Sequence, residues 1–220
     1  MGRLGQFYGT MVGKKVVMGV TGLIGIAFVV LHSLGNLLVF RGPAALNSYS
    51  HFLKSSGELL WALRIVLIVA VALHAVAAVQ LTRQSRAARP VGYVKYEPQA
   101  ATIASRSMRW GGALLLVFII VHILHFTTGT IRPAGFFSEQ DVYANVVTSF
   151  RIWWVSLFYL GAMVALGFHL FHGAWSSVRS IAVSPPSREP LRHRVSLAVA
   201  VLVWAAFTSV PLAVFVGALR

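Results

Sequence analysis

Five long stretches of the sequence contain no Lys, Arg, Asp or Glu, and they restrict the chain to a membrane-spanning fold. They cover residues 16–40, 65–81, 110–131, 152–178 and 195–219. About 20 apolar residues in a helix cross the ~30 Å hydrocarbon layer of a bilayer. Since 57% of the residues are hydrophobic and only 11% are charged, the composition is that of an integral membrane protein.

The second stretch reaches spanning length by including Leu59 to Leu63, with Arg64 extending its charged head to the interface. We therefore predict an all-α integral membrane protein. One membrane domain over residues 1–220 has helices at approximately 16–40, 59–81, 110–131, 152–178 and 195–219. The first apolar run is too long for a signal peptide, so it is expected to remain as a helix.

The Lys and Arg residues predict the orientation, because basic residues in short loops stay on the cytoplasmic side. Thirteen of the nineteen lie before helix one or in the loops between helices two and three and between helices four and five: Arg3, Lys14, Lys15, Arg83, Arg86, Arg89, Lys95, Arg106, Arg109, Arg179, Arg188, Arg192 and Arg194. The amino terminus is therefore predicted to be cytoplasmic, in the inner membrane of a bacterial cell. The net charge of +14 fits attraction to anionic lipid and a docked soluble subunit, and no nucleic-acid partner is expected.

Four of these helices each carry a histidine at depth: His32, His74, His122 and His169. A titratable group inside a membrane is costly, so it is first interpreted as functional and as facing the bundle interior. Neutral imidazole is a standard axial ligand of haem iron. Four histidines suffice for two bis-histidine sites, so we predict a bundle of four helices around two stacked b-type haems, with the fifth helix outside.

Counting along the helices predicts which histidines share an iron. His32 and His122 lie eight and nine residues from the outer ends of their segments, roughly 12 to 14 Å below the outer surface. His74 and His169 lie seven and nine residues from the inner ends, again roughly 10 to 14 Å deep. The four histidines thus lie in two layers of equal depth, which predicts that His32 and His122 share an outer iron and that His74 and His169 share an inner one.

Small residues on the same helix faces would let a flat macrocycle approach the backbone, although ordinary packing of membrane helices also uses small residues. They are Gly25 near His32, then Ala70, Ala77 and Ala78 near His74, and Ala162, Ala165 and Gly173 near His169. His125 and His172 each follow a favoured ligand by three residues, so either is an alternative ligand. His51 and His193 are expected in loops, in solvated or interfacial roles.

Several segments resemble the cytochrome b membrane-anchor subunit of succinate:quinone oxidoreductases (succinate dehydrogenase and fumarate reductase), of the five-helix, two-haem, single-anchor type. They are LHSLGNLLVFRGPAALNSYSHF from Leu31, LHAVAAVQL from Leu73, VHILHFTTG from Val121 and FHLFHGAWSSV from Phe168. The resemblance implies the same ligand pairs, with His74 and His169 on the inner haem and His32 and His122 on the outer one.

The resemblance also implies partners and a substrate. A flavoprotein subunit oxidises succinate, an iron–sulfur subunit carries the electrons, and this chain passes them through the inner and then the outer haem to menaquinone, as one subunit of a respiratory complex that can form a higher oligomer. The chain has no cysteine, so it can ligate no thiolate iron–sulfur cluster, and the dicarboxylate chemistry must lie in another subunit. Direction of turnover, quinone type, haem potentials and coupling to the membrane potential are not encoded in these residues.

The outer ends of the helices hold the candidate quinone-site residues. Asn36, one turn beyond His32, is a hydrogen-bond donor, and Glu58 is a proton relay, or else a carboxylate paired with Lys54 or Arg64. Arg83, Arg109 and Arg179 are candidate partners of haem propionates. Ser138 is expected to cap a short outer helix, with Glu139 and Asp141 in structural roles.

Two alternative functions stay open at the level of the sequence. A cytochrome b subunit of a hydrogenase or formate dehydrogenase also has histidine-ligated haems, although one histidine on each of four successive helices fits it less well. A haem-free membrane protein could use the same histidines to relay protons. That second alternative predicts no visible absorption spectrum.

Overall fold

A computed structural model describes residues 2–88, 102–181 and 188–220, and all regular structure in these ranges is helical. The eight helices are α1 (Arg3–Gly9), α2 (Met11–Asn36), α3 (Pro43–Ser55), α4 (Gly57–Ala87), α5 (Ile103–His122), α6 (Val142–Phe150), α7 (Trp153–Ser180) and α8 (Glu189–Phe215). A 3-10 turn, Leu37–Arg41, follows α2, and a π-helical turn, Ile123–Thr127, follows α5.

Within the described ranges, five helical segments are long and apolar enough to cross a membrane, so the predicted all-α fold with five spanning helices is confirmed. They are Met11–Arg41, Gly57–Ala87, Ile103–Thr127, Trp153–Ser180 and Glu189–Phe215. Several begin before the apolar run because polar residues at an interface can continue a helix. The third begins at Ile103 rather than at Trp110. Thr102 is its N-cap, and the Thr102 hydroxyl accepts a hydrogen bond from the Ser105 amide at 3.1 Å.

The spanning helices alternate in direction and pack as neighbours in a definite order. Helix α2 packs on α4 and α7, α5 packs on α7, and α8 packs outside this group against α7 and α2. Across the described residues, α4 does not pack closely on α5 or α7, and α2 does not pack closely on α5. The order of the four helices is therefore α4, α2, α7 and α5, with an open side between α4 and α5. The pairs α2–α5 and α4–α7 are the diagonals of this four-helix group.

One end of the bundle, where α2, α5 and α8 begin and α4 and α7 end, carries most of the positive charge, and we call it the basic end. Eleven of the thirteen basic residues predicted for one face lie there, whereas Arg89 and Lys95 lie outside the described residues.

Lys14 has a local structural role, since its ammonium donates to the carbonyls of Tyr8 at 3.1 Å and Gly9 at 2.9 Å, at the end of α1.

The opposite end is closed by a cap, which we define as α3, α6 and the 3-10 turn Leu37–Arg41. Its apolar core joins Val39 and Leu46 to Val147 and Phe150 and to the start of α7 at Tyr159. Helix α3 folds back closely on α2 at Gly35. A Cβ at this position would lie only 2.8 Å from the Tyr49 ring. Among the described residues, the larger of the two buried clusters therefore joins this cap to the adjacent ends of α7 and α8.

Hydrogen bonds between α3 and the start of α6 fix the cap. The Asn47 side chain donates to the Asp141 carboxylate at 2.9 Å and accepts from the Tyr143 amide at 3.0 Å. Asp141 also accepts from the Ala144 amide at 3.0 Å, so it is the N-cap of α6. The short helix was predicted correctly, but its cap is Asp141 rather than Ser138, whose hydroxyl instead accepts from the Asp141 amide at 3.1 Å.

We expect Asp141→Ala to destabilise the cap by about 1 kcal/mol at neutral pH, the usual contribution of an N-cap. The Ala144 amide and the Asn47 side chain hold the pKa of Asp141 below its ordinary value. Because the folded pKa lies below the unfolded value of about 3.9, this stabilisation is fully present above about pH 4 and is lost as the pH falls through the folded pKa.

Thermal unfolding in detergent at neutral pH and at about pH 3 measures this effect, which should shrink at the lower pH. The matched control is Glu139→Ala, which removes an exposed carboxylate from the same loop. Equal losses of Tm in the two variants at neutral pH would contradict the assignment of Asp141 as the cap.

Candidate functional site

His32 on α2 and His122 on α5 meet across one diagonal of the four-helix group. Their ring centres lie 5.9 Å apart, with ring planes at 79°. The α2 and α5 backbones do not pack closely, so the two side chains span the gap between the helices. This pair lies in the half of the bundle nearer the cap, because His122 contacts Tyr159, which belongs to the core of the cap.

His74 on α4 and His169 on α7 meet across the other diagonal. Their ring centres lie 6.2 Å apart, with ring planes at 61°. This pair lies nearer the basic end, since the His74 imidazole contacts Met18 and Thr21 close to the start of α2. The four histidines thus form the two pairs that counting along the helices had placed at equal depth.

The spacing of each pair fits two imidazoles on opposite sides of one iron. A metal–imidazole nitrogen bond is about 2 Å long and the ring centre lies about 1 Å behind that nitrogen, so the two ring centres should be about 6 Å apart. The observed separations are 5.9 and 6.2 Å. In the described part of the chain no three His, Asp or Glu converge.

Two of the four histidines have a partner for the ring nitrogen Nδ1. His74 Nδ1 lies 3.0 Å from the Met18 carbonyl oxygen, which can only accept, and 3.3 Å from the Thr21 hydroxyl. His122 Nδ1 lies 3.5 Å from the Tyr159 hydroxyl. A proton held on Nδ1 leaves Nε2 with a free lone pair, the arrangement that metal-ligating histidines use.

The other two histidines are held differently. His32 Nε2 lies 3.3 Å from the Asn36 amide nitrogen, which also donates to the His32 carbonyl at 2.7 Å. Iron bound through this nitrogen would require the Asn36 contact to be given up. His169 Nδ1 is buried and has no hydrogen-bond partner among the residues that the structure describes, and a Cβ at Gly112 would lie 3.5 Å from the adjacent ring carbon.

Small residues leave room beside both pairs. Ala70, Ala77 and Ala162 are buried, whereas a Cβ at Gly25 or Gly173 would meet nothing within 4 Å. A cavity of about 210 Å³ lies between α5 and α7, lined by Gly111, Gly161, Ala165, His169 and four neighbours. Sequence reasoning missed Gly22 and Gly112, which face the rings of His74 and His169 from another helix. The paired imidazoles are a donor set that fits haem, and the cavity adjoins the inner pair at His169.

The alternative ligands His125 and His172 are placed apart from the pairs. His125 is buried with both nitrogens engaged, Nδ1 with the Tyr159 hydroxyl at 3.0 Å and Nε2 with the Ser149 hydroxyl at 2.9 Å, so iron binding would require one of these contacts to be given up. His172 packs edge-on against Trp175 with ring centres 5.7 Å apart, and the Trp175 ring also contacts His193 of α8. His51 is exposed on α3.

The candidate quinone residues are both near the cap but differ in setting. Asn36 lies directly on His32, as described above, and is half-buried. Glu58 is exposed in the first turn of α4, and its carboxylate forms no ion pair with Lys54 or Arg64 among the described residues. The Lys54 ammonium donates to the Glu139 carbonyl, and the Arg64 guanidinium lies 5.1 Å from the Trp61 ring centre.

The arginines considered for haem propionates all lie at the basic end. Arg83 and Arg109 are exposed. Arg179 pairs with Glu189 of α8 at 3.6 Å and lies 5.1 Å from the Trp175 ring centre. Arg179 therefore also links α7 to α8.

The fold and the site define a multi-pass, all-helical membrane protein with two pairs of imidazoles across its bundle. Residues 83–210, more than half of the chain, match the family of succinate dehydrogenase/fumarate reductase transmembrane subunits. The chain belongs to this family, and is thus a membrane-anchor subunit of a succinate- or fumarate:quinone oxidoreductase complex, associated with its other subunits. No curated protein and no solved structure matches the chain.

The family match confirms the resemblance seen in the sequence at the level of the membrane subunit. It includes His122 and His169, whereas His32 and His74 lie before its first residue. One member of each diagonal pair is therefore inside the matched region and one is outside it.

Proposed function

We propose that this chain is the dihaem cytochrome b anchor, of the single-anchor type, that carries electrons from an iron–sulfur subunit to menaquinone. The observation that supports the proposal is the pairing of four intramembrane histidines across two diagonals at separations suited to iron. His74 and His169 hold the inner haem b, and His32 and His122 hold the outer one. Bound haem supplies one-electron transfer by cycling of its iron.

The residues around each pair orient the ligands. The Met18 carbonyl holds the proton of His74 on Nδ1, which leaves the lone pair of Nε2 free. Asn36 lies beside His32 at the end where the quinone would bind, and it can donate its amide to a quinone oxygen. Glu58 is an exposed acidic group at this end and can deliver a proton from solvent.

The basic end is the docking face for the soluble subunits in this proposal. Its exposed Arg83, Arg86, Arg106 and Arg109 lie at the end of the bundle nearer the His74–His169 pair, so a partner bound there would be nearest the inner haem. In this arrangement the amino terminus is cytoplasmic, in the inner membrane of a bacterial cell, which agrees with the distribution of basic residues. The succinate and fumarate family match favours this partnership over a hydrogenase or formate dehydrogenase.

A reduced-minus-oxidised absorption spectrum of the purified complex tests the proposal, with haem quantified as the pyridine haemochrome. We expect two haem b per copy of this chain, both reduced by succinate through the flavoprotein subunit. A folded, haem-supplemented preparation without haem would overturn the proposal and favour histidines that relay protons. One haem per chain would contradict the second pair.

A further inference from the structure

Tyr159 on α7 lies between a proposed ligand and a second buried histidine. Its hydroxyl is 3.5 Å from His122 Nδ1 and 3.0 Å from His125 Nδ1. The other nitrogen of His125, Nε2, lies 2.9 Å from the hydroxyl of Ser149 in α6. The four side chains form one continuous polar chain from the spanning helices into the cap.

This polar chain is enclosed by apolar side chains. Tyr159, His125 and Ser149 are only 6%, 4% and 3% exposed. The rings of Phe118, Phe126 and Phe150 lie around Tyr159 with centre separations of 5.1, 5.7 and 5.0 Å. A buried polar group without a hydrogen bond costs about 1–3 kcal/mol, so these groups are held to the partners they have.

The π-helical turn Ile123–Thr127 begins immediately after His122 and contains His125. Single π-helical turns inside α-helices are frequent at functional sites. Here the turn contains the histidine whose ring stacks on Phe126 with centres 4.1 Å apart and hydrogen bonds to α6 and α7. Helix α5 therefore changes geometry where the ligand side chain meets the cap.

We propose that Tyr159, held in place by His125 and Ser149, is the positioning residue that fixes the tautomer and orientation of His122. The inference rests on the proposed function, because it assigns His122 as a haem ligand. The hydrogen bonds run in one direction: His122 Nδ1–H donates to the Tyr159 oxygen, Tyr159 O–H donates to His125 Nδ1, and His125 Nε2–H donates to the Ser149 oxygen. In this direction the lone pair of His122 Nε2 is free.

The opposite direction would not serve a ligand. If Tyr159 donated to His122 Nδ1, the neutral imidazole would carry its proton on Nε2, which could not bind iron. Donation from Nδ1–H to an oxygen also makes a ligating imidazole more basic and favours the oxidised metal. His74 obtains the same orientation from a backbone carbonyl, whereas His122 depends on a side-chain hydroxyl that substitution can remove.

Tyr159→Phe tests this role, because it removes the hydroxyl and keeps the ring among its aromatic neighbours. We expect both haems to be present, the midpoint potential of the outer haem to rise, and haem loss from the outer site to apomyoglobin to be about tenfold faster. The potential and release rate of the inner haem should not change. The low-spin electron paramagnetic resonance signal of the outer haem should shift, which a loss of general stability alone would not produce.

Tyr143→Phe is the matched control, since its hydroxyl contacts the Arg220 carbonyl at 3.3 Å in a solvent-exposed region. Ser149→Ala is the second variant if Tyr159→Phe folds poorly, and it should shift the outer haem in the same direction by less. An outer haem unchanged in both Tyr159→Phe and Ser149→Ala, or changed equally in Tyr143→Phe, would overturn the inference alone. Absence of haem from the wild-type complex would overturn the proposed function and the inference together.

Discussion

His74→Ala and His169→Ala are each expected to halve the haem content and to stop electron transfer from succinate to quinone. Each variant removes one of the two imidazoles that face each other across the α4–α7 diagonal, 6.2 Å apart, and that would hold the inner haem in the proposed function. An iron left with one imidazole in an apolar bundle loses its low-spin bis-histidine spectrum and most of its affinity. Pyridine haemochrome analysis measures the loss, and the rate of succinate oxidation with a soluble dye reports whether the other subunits are still assembled.

Combinations of substitutions test the pairing directly. His74→Ala with His169→Ala should lose no more haem than either single variant, because both act on one site. His74→Ala with His122→Ala should lose both haems, because the two residues belong to different diagonals. Similarly, His32→Ala and His122→Ala should each remove the outer haem and leave the inner one reducible by succinate.

His51→Ala and His193→Ala are the controls and should retain both haems, because neither side chain lies in a diagonal pair. Retention of both haems in all four ligand variants would refute the assignment. If His125→Ala removed the outer haem and His122→Ala did not, the ligand choice would be wrong while the helical architecture would remain. The same reasoning applies to His172 and His169.

The spanning helices and the histidine layers were accessible from the sequence because both follow from local rules. Apolar runs identify the helices, and a fixed rise per residue places each histidine at a depth. Alternating helix direction then brings residues of equal depth to the same layer. The diagonal arrangement was not accessible, because which helices are neighbours is decided by packing between segments far apart in the sequence.

The surroundings of the ligands were mostly missed for the same reason. Ser149 and Tyr159 are separated from His125 by 24 and 34 residues, and no periodicity relates them. The π-helical turn after His122 has no marker in the residues Ile123–Thr127, which would also suit an α-helix. The cap was seen only as a short helix near Asp141, since its stability comes from contacts such as Asn47 to Asp141 across 94 residues.

Gly22 of α2 lies against the imidazole ring of His74. A Cβ at Gly22 would lie 3.3 Å from His74 Cε1 and 3.3 Å from the Ser177 hydroxyl oxygen. The two additional methyl groups of valine have no room between these neighbours, so the His74 ring must move away from α2 and lose its contact with the Met18 carbonyl. We therefore expect Gly22→Val to lose the inner haem selectively and to destabilise the protein by about 1–3 kcal/mol.

Ala27→Val is the control, because it adds the same β-branched bulk to α2 at an exposed position. It should retain both haems, which would separate the effect of the contact with His74 from the general effect of a β-branched residue in this helix. Gly22→Ala should give an intermediate result, since its Cβ only tightens the contact and the His74 ring can shift by a few tenths of an ångström. A Gly22→Val complex with two haems and an unchanged inner-haem spectrum would show that His74 binds iron in a position other than the one seen here, away from α2.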